Sequence, residues 1–104
     1  MISTQILDSS QGCPAARVPV ELDLFITGHG WHEVGRGISN NDGRIDSFGV
    51  PAAAGVYRLM CDIAAYQPHA FFPSIAVTFE IRNPEEQHHL PVIFSPFGYS
   101  IFRS

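Results

Sequence analysis

Lysine is absent from this chain; its positive charge consists of six arginines scattered through 104 residues, with no basic cluster. Ten acidic residues bring the net charge to −4 at pH 7. Nucleic acids and acidic membrane surfaces are held by patches that neutralise phosphate, so neither is expected as a partner. Charge of either sign is scarce, at 15% of the sequence. Cysteine is nearly missing: Cys13 and Cys61 lack metal-ligand spacing and are too few for the disulfide framework of a small secreted domain. Two reduced, partly buried thiols are the expectation. His29 and His32 bracket Gly30 and Trp31 but have no further close ligand, a poor zinc site, so no metal is expected. No hydrophobic run reaches membrane-spanning length, no charged and apolar leader precedes the strand-like sequence at Ile2, and Phe102, Arg103 and Ser104 are not the peroxisomal Ser-Lys-Leu signal. These absences together predict a soluble cytoplasmic protein.

What is present is a succession of short β-type runs separated by Gly, Pro, Asn and Asp clusters, the pattern of a sandwich or barrel. Residues 1–104 are expected to form a single domain that buries roughly 60 to 70% of its unfolded surface. Strands are predicted at Ile2 to Leu7, Val20 to Ile26, Trp31 to Ser39, Ile45 to Phe48 (a short edge strand), Val56 to Ile63 and Ile75 to Ile81. A final hairpin splits at "SPFG". The segments "SSQGCPAARVP" and "GVPAAAG" read as loops, "NDG" as a tight turn, and the one plausible helical turn lies in "AAYQPHA" before Pro68. The count is eight strands with at most one short helix.

Side chains alternate across a strand, so parity sorts the closing hairpin. Leu90, Val92 and Phe94 share one side; His89, Pro91, Ile93 and Ser95 share the other, to which Ser100, Phe102 and Ser104 of the last strand belong. Both faces are apolar. An antiparallel sandwich normally wets one face of each sheet, so a second covering layer is required, and no residues remain to build it. A second copy of the chain, packed with closed symmetry, is the economical cover. His89, Ser100 and Ser104 then line a partly desolvated groove, which Gln5 joins if the first strand neighbours the hairpin.

Five ordered blocks now resemble the transthyretin-related proteins whose enzymatic branch is 5-hydroxyisourate hydrolase. They are "ISTQILDSSQGCPAARVPVEL", "W" with "VGRGISNNDGRI", "GVYRLMCD", "FFPSIAVTFEI" and "HLPVIFSPFGYS", and they cover nearly the whole chain. The resemblance implies an all-β, eight-stranded transthyretin-like (prealbumin-like) sandwich. It also implies a homotetramer, a dimer of dimers, with active sites in the channel lined by the outer sheet. It implies hydrolytic opening of the lactam of 5-hydroxyisourate, a step of urate breakdown, without metal or organic cofactor. Arg44 in "NDGRI" and His89 in "HHLP" match the family's site residues. Gln5 in "STQILD" stands where the family pattern has His; Phe102, Arg103 and Ser104 stand for the terminal Tyr-Arg-Gly-Ser; Gln87, His88 and His89 stand for His-Tyr-His.

The implied catalytic residues are therefore His89, Arg44 and Gln5, with Phe102, Arg103, Ser104 and Ser100 binding a small heterocyclic substrate. The guanidinium can anchor a carbonyl or an anionic ring, the imidazole can move a proton near neutral pH, and the amide can orient water but cannot act as a base. Replacing the first-strand His and the terminal Tyr predicts a diverged hydrolase with a more apolar wall at Phe102. Two alternatives stay open: a biosynthetic enzyme that opens, rearranges or cyclises a heterocycle, and a non-catalytic carrier that holds an aromatic ligand in the same channel.

Overall fold

The computed structural model describes residues 1–49, 51 and 53–104; Val50 and Ala52, in the expected "GVPAAAG" loop, lie outside the described residues. Two sheets face each other. One contains β1 (Ile2–Asp8), β2 (Cys13–Pro14), β5 (Arg44–Ile45), β8 (His88–Ser95) and β9 (Gly98–Ile101), in the order β2-β1-β8-β9 with β5 also paired to β1. The other contains β3 (Pro19–Ile26), β4 (Gly30–Ile38), β6 (Gly55–Asp62) and β7 (Ser74–Ile81), in the order β4-β3-β6-β7. The one helix among the described residues, α1 (Ile63–Tyr66), is a single turn capped by Asp62, whose carboxylate accepts from Ala65 N at 3.2 Å. No helix among the described residues is long and apolar enough to cross a membrane.

Alternation explains the core. Ile2, Ile6, Leu90, Val92 and Phe94 from the first sheet meet Val20, Leu22, Tyr57, Leu59, Ile75 and Ile81 from the second, all buried. Thr4 and Asp8 share the inward parity of Ile2 and Ile6, and each finds partners. Thr4 donates to Leu90 O at 2.6 Å, and the Asp8 carboxylate accepts from Ser10, Gln11 and Tyr66.

The eight expected strands are present, with two departures. The first loop contains β2, a two-residue strand whose Cys13 and Pro14 sit opposite Asp8 and Leu7. The expected strand Ile45 to Phe48 is reduced to Arg44–Ile45, because Ser47 Oγ accepts the Gly49 N–H at 2.8 Å in a local turn while Phe48 N reaches back to Ile2 O at 2.9 Å.

Two features of the first sheet position the candidate site. β1 and β8 run parallel, so Ser3 lies beside His89, Gln5 beside Pro91 and Leu7 beside Ile93. This adjacency brings the first strand to the closing hairpin. The pairing of β8 with β9 also continues past Ile101, with Phe102 N donating to Pro91 O at 3.3 Å and Ser104 N to His89 O at 3.0 Å. The tail is therefore tied down across its outer face.

Candidate functional site

Turn chemistry delivers Arg44. Asn40 Oδ1 accepts from both Asp42 N and Arg44 N at 2.9 Å, closing the loop before β5. Gly43 has φ +74°, and a Cβ there would stand 2.3 Å from Ile6 O. Only glycine lets this turn lie against β1, where Ile6 N donates to Gly43 O at 2.7 Å. The register then sets Arg44 beside Gln5. Gln5 is held in turn by its Nε2, which donates to Asp42 O at 3.1 Å.

The outer face of this sheet therefore carries ordered rows. Arg44, Gln5, Pro91 and Phe102 form one; Ser3, His89 and Ser104 form the next; Leu7, Ile93 and Ser100 form a third. Arg44, Phe102, Ser100 and Ser104 are exposed in the single chain, while Gln5, Leu7, Ile93 and His89 are partly buried. Six of the seven sequence-predicted site residues thus share one surface. Arg103 does not. Its parity turns it away from Phe102 and Ser104, and its guanidinium pairs with Glu86 at 3.0 Å, in a polar cleft with Arg82, Asn83 and His88.

Sequence reasoning missed Ser3. It is buried on the outer face, its Oγ lies 2.7 Å from His89 Nδ1, and it has the same parity as Gln5. Two-residue spacing from Gln5 was the available signal. Burial, and then the nearby charge of Arg44, lower the pKa of His89 below its ordinary value of 6.5 and favour the neutral ring. Arg44, like Arg17, has no carboxylate partner among the described residues, whereas Arg36, Arg58, Arg82 and Arg103 are all ion-paired. An unpaired guanidinium beside a neutral imidazole and an amide can bind a carbonyl-rich or anionic ring.

An open groove of about 720 Å³ on the opposite sheet, lined by Pro19, Glu21, Arg36, Ile38 and Met60 among others, lacks such a set. Arg36 there is already bound to Glu33 and lies 3.7 Å from Glu21. The two cysteines are free, and burial pushes the Cys61 thiol up to about 12, so it is inert. Among the described residues, no three His, Cys, Asp or Glu side chains group as metal ligands.

Residues 2–104 match the HIUase/Transthyretin family. The chain is 33% identical over 121 residues to the uric acid degradation bifunctional protein TTL of Arabidopsis thaliana, covering 98% of this chain but 36% of that longer protein. The 5-hydroxyisourate hydrolase of Klebsiella pneumoniae superposes with a TM-score of 0.85 at 32% identity, covering 99% of this chain and 96% of that one. Sea bream transthyretin in complex with thyroxine superposes with a TM-score of 0.90 at 27% identity, covering 99% and 93% of the two chains.

Proposed function

The chain belongs to the HIUase/transthyretin family, and we propose that it is a diverged hydrolase of the 5-hydroxyisourate hydrolase type, opening a cyclic amide or ureide with water. The observation that carries this reading is the juxtaposition of unpaired Arg44, Gln5 and neutral His89 in adjacent rows of one sheet face. Arg44 anchors the substrate carbonyl or an anionic ring edge, and Gln5 orients water or reads a ureide edge. His89 moves the proton, and Phe102, Ser100 and Ser104 form the walls. Arg103, bound to Glu86, drops from the substrate-binding set within one subunit.

Leu7, Ile93 and Phe102 leave this face apolar in a single chain, so the site is completed by a second copy packed over it, in a homotetramer built as a dimer of dimers. At about 25 cal/mol per Å², covering these side chains on both copies contributes a few kcal/mol. A reducing cytosolic setting agrees with the two free thiols.

A positioned general base is typically worth about 10² to 10⁴ in rate, so a glutamine at position 5 predicts slow turnover of isourate itself. Absorbance decay of freshly generated 5-hydroxyisourate tests this directly: the protein should accelerate it modestly, and decay at the spontaneous rate would rule out isourate as its substrate. Gln5→His together with Phe102→Tyr should raise the rate by at least about tenfold. An unchanged rate tells against this placement of the site.

A second reading, a carrier for an aromatic ligand, is favoured by the half-exposed Phe102 ring and by the thyroxine bound to the sea bream relative. Tight binding of an aromatic ligand with no turnover of any cyclic amide would select it.

A further inference from the structure

We infer that Ser3 is a positioning residue that holds neutral His89 with its proton on Nε2, so that the imidazole meets the site as a proton donor rather than as a base. Ser3 is 6% exposed, and its Oγ has His89 Nδ1, at 2.7 Å, as its one hydrogen-bond partner among the described residues. A serine hydroxyl carries one proton and two lone pairs, and a neutral imidazole carries one N–H and one lone pair. Were the ring proton on Nδ1, Ser3 would accept it and its own buried O–H would be left with no acceptor. With Ser3 donating to Nδ1, both groups are satisfied. Burial and Arg44 disfavour the cation, in which both nitrogens would be donors, and so support the same arrangement. Nε2, at the far side of the ring from Ser3, has no protein partner among the described residues.

The chemistry of the face follows. Arg44 supplies N–H donors and His89 supplies Nε2–H, while Gln5 spends an amide N–H on Asp42 O and keeps Oε1 as an acceptor. This set suits a ring rich in carbonyl oxygens and carrying negative charge, with an N–H edge for Gln5 to read. The acid role rests on the hydrolase reading above. Water adds through its oxygen to the ring carbonyl carbon, and the C–N electron pair leaves with the nitrogen. As that nitrogen takes the Nε2 proton, the added water gives one back to Nε2 in the same step, so the ring is never left as a free imidazolate. The imidazole ends as it began. The tautomer itself is a property of the free protein and needs no substrate.

The test is a long-range ¹H–¹⁵N correlation spectrum of the full-length labelled protein without substrate, above the histidine titration range, with His89 assigned through His89→Gln. The parent should give the Nε2–H pattern, Ser3→Thr should keep it, and Ser3→Ala should shift it toward a mixture. In turnover, Ser3→Ala should lower kcat on the order of tenfold with KM unchanged, and Ser3→Thr should restore it. The remaining cross-peaks report whether each variant is folded; should Ser3→Ala fail to fold, the parent and Ser3→Thr patterns still decide. An Nδ1–H pattern in the parent, or no change in a folded Ser3→Ala, overturns the assignment. An Nε2–H pattern in a protein that leaves isourate decay unaccelerated removes the acid role toward isourate and leaves the hold of Ser3 on the ring standing.

Discussion

The two sheets turn very different outer faces to their surroundings. On the β4-β3-β6-β7 side, a bulge between Leu22 and Asp23 leaves the Asp23 carboxylate buried, and Arg58 closes over it at 3.0 Å. The same guanidinium lies 4.4 Å from the Trp31 ring centre, and Phe25 packs edge-on against Trp31. Arg36 is taken by Glu33. Each of these charges is answered within the chain, although apolar side chains such as Ile38 and Val56 stay exposed on this sheet. On the β2-β1-β8-β9 side, among the described residues, Arg44 has no carboxylate and His89 is held through one nitrogen only, while Phe102 is half-exposed and Leu7 and Ile93 are only partly buried. A sheet face that answers its own charges leaves no free cation to anchor an anionic ligand. One that leaves a cation and an imidazole unanswered among apolar side chains is set for a ligand and a second layer.

The largest effect should come from making the open face resemble the closed one. Ile93→Glu puts a carboxylate where the proposed copy packs, and desolvating it should weaken assembly by about 3 kcal/mol, more than 100-fold in the association constant. Sedimentation should show smaller species, and turnover should fall with assembly. The same glutamate at Thr78, beside Arg58 on the other face, should change neither, within about 0.5 kcal/mol of stability. Dissociation by both variants, or by neither, would erase the difference between the faces.

Breaking the closed face should produce a smaller effect of another kind. Arg58→Ala leaves Asp23 buried without its cation, and the partly exposed pair should cost about 2 kcal/mol. Urea unfolding should show the loss while kcat and assembly stay at parental values. A loss of assembly instead would show that this face, too, meets another chain.

Much of this difference was legible in the sequence. Alternation places Leu90, Val92 and Phe94 inward and His89 and Ile93 outward, and the burial along β8 follows it, except that outward Pro91 is buried as well. Parity alone also separates Arg103 from Phe102 and Ser104; the terminal family pattern placed it in the substrate set, while in the single chain its guanidinium pairs with Glu86. Three things were illegible for a common reason. The Ser3 to His89 bond joins residues 86 apart through a parallel pairing, β2 is two residues long and has no period to read, and the end of β5 is decided by one Ser47 hydrogen bond. Periodicity reports which way a side chain points, and says nothing of which strand comes to lie beside it.

The smallest effect sharpens the comparison at a single charge. A guanidinium paired to a carboxylate, as Arg58 is, projects little field, whereas unpaired Arg44 reaches His89 and, after burial, helps lower its pKa below the ordinary 6.5. In this situation the unfolded chain holds a proton that the folded chain refuses. Stability is therefore unaffected by His89 above about pH 6.5, falls as the pH drops below that value, and stops falling once the lowered folded pKa has been passed. Arg44→Gln removes one of the two causes, so the His89 midpoint in an NMR titration should rise toward 6.5 and the loss of stability on the acid side should shrink. Burial remains, so the midpoint should stop short of the ordinary value. An unmoved midpoint would mean that the guanidinium is already neutralised in solution, and Arg44 would then be as fully answered as the arginines of the opposite face.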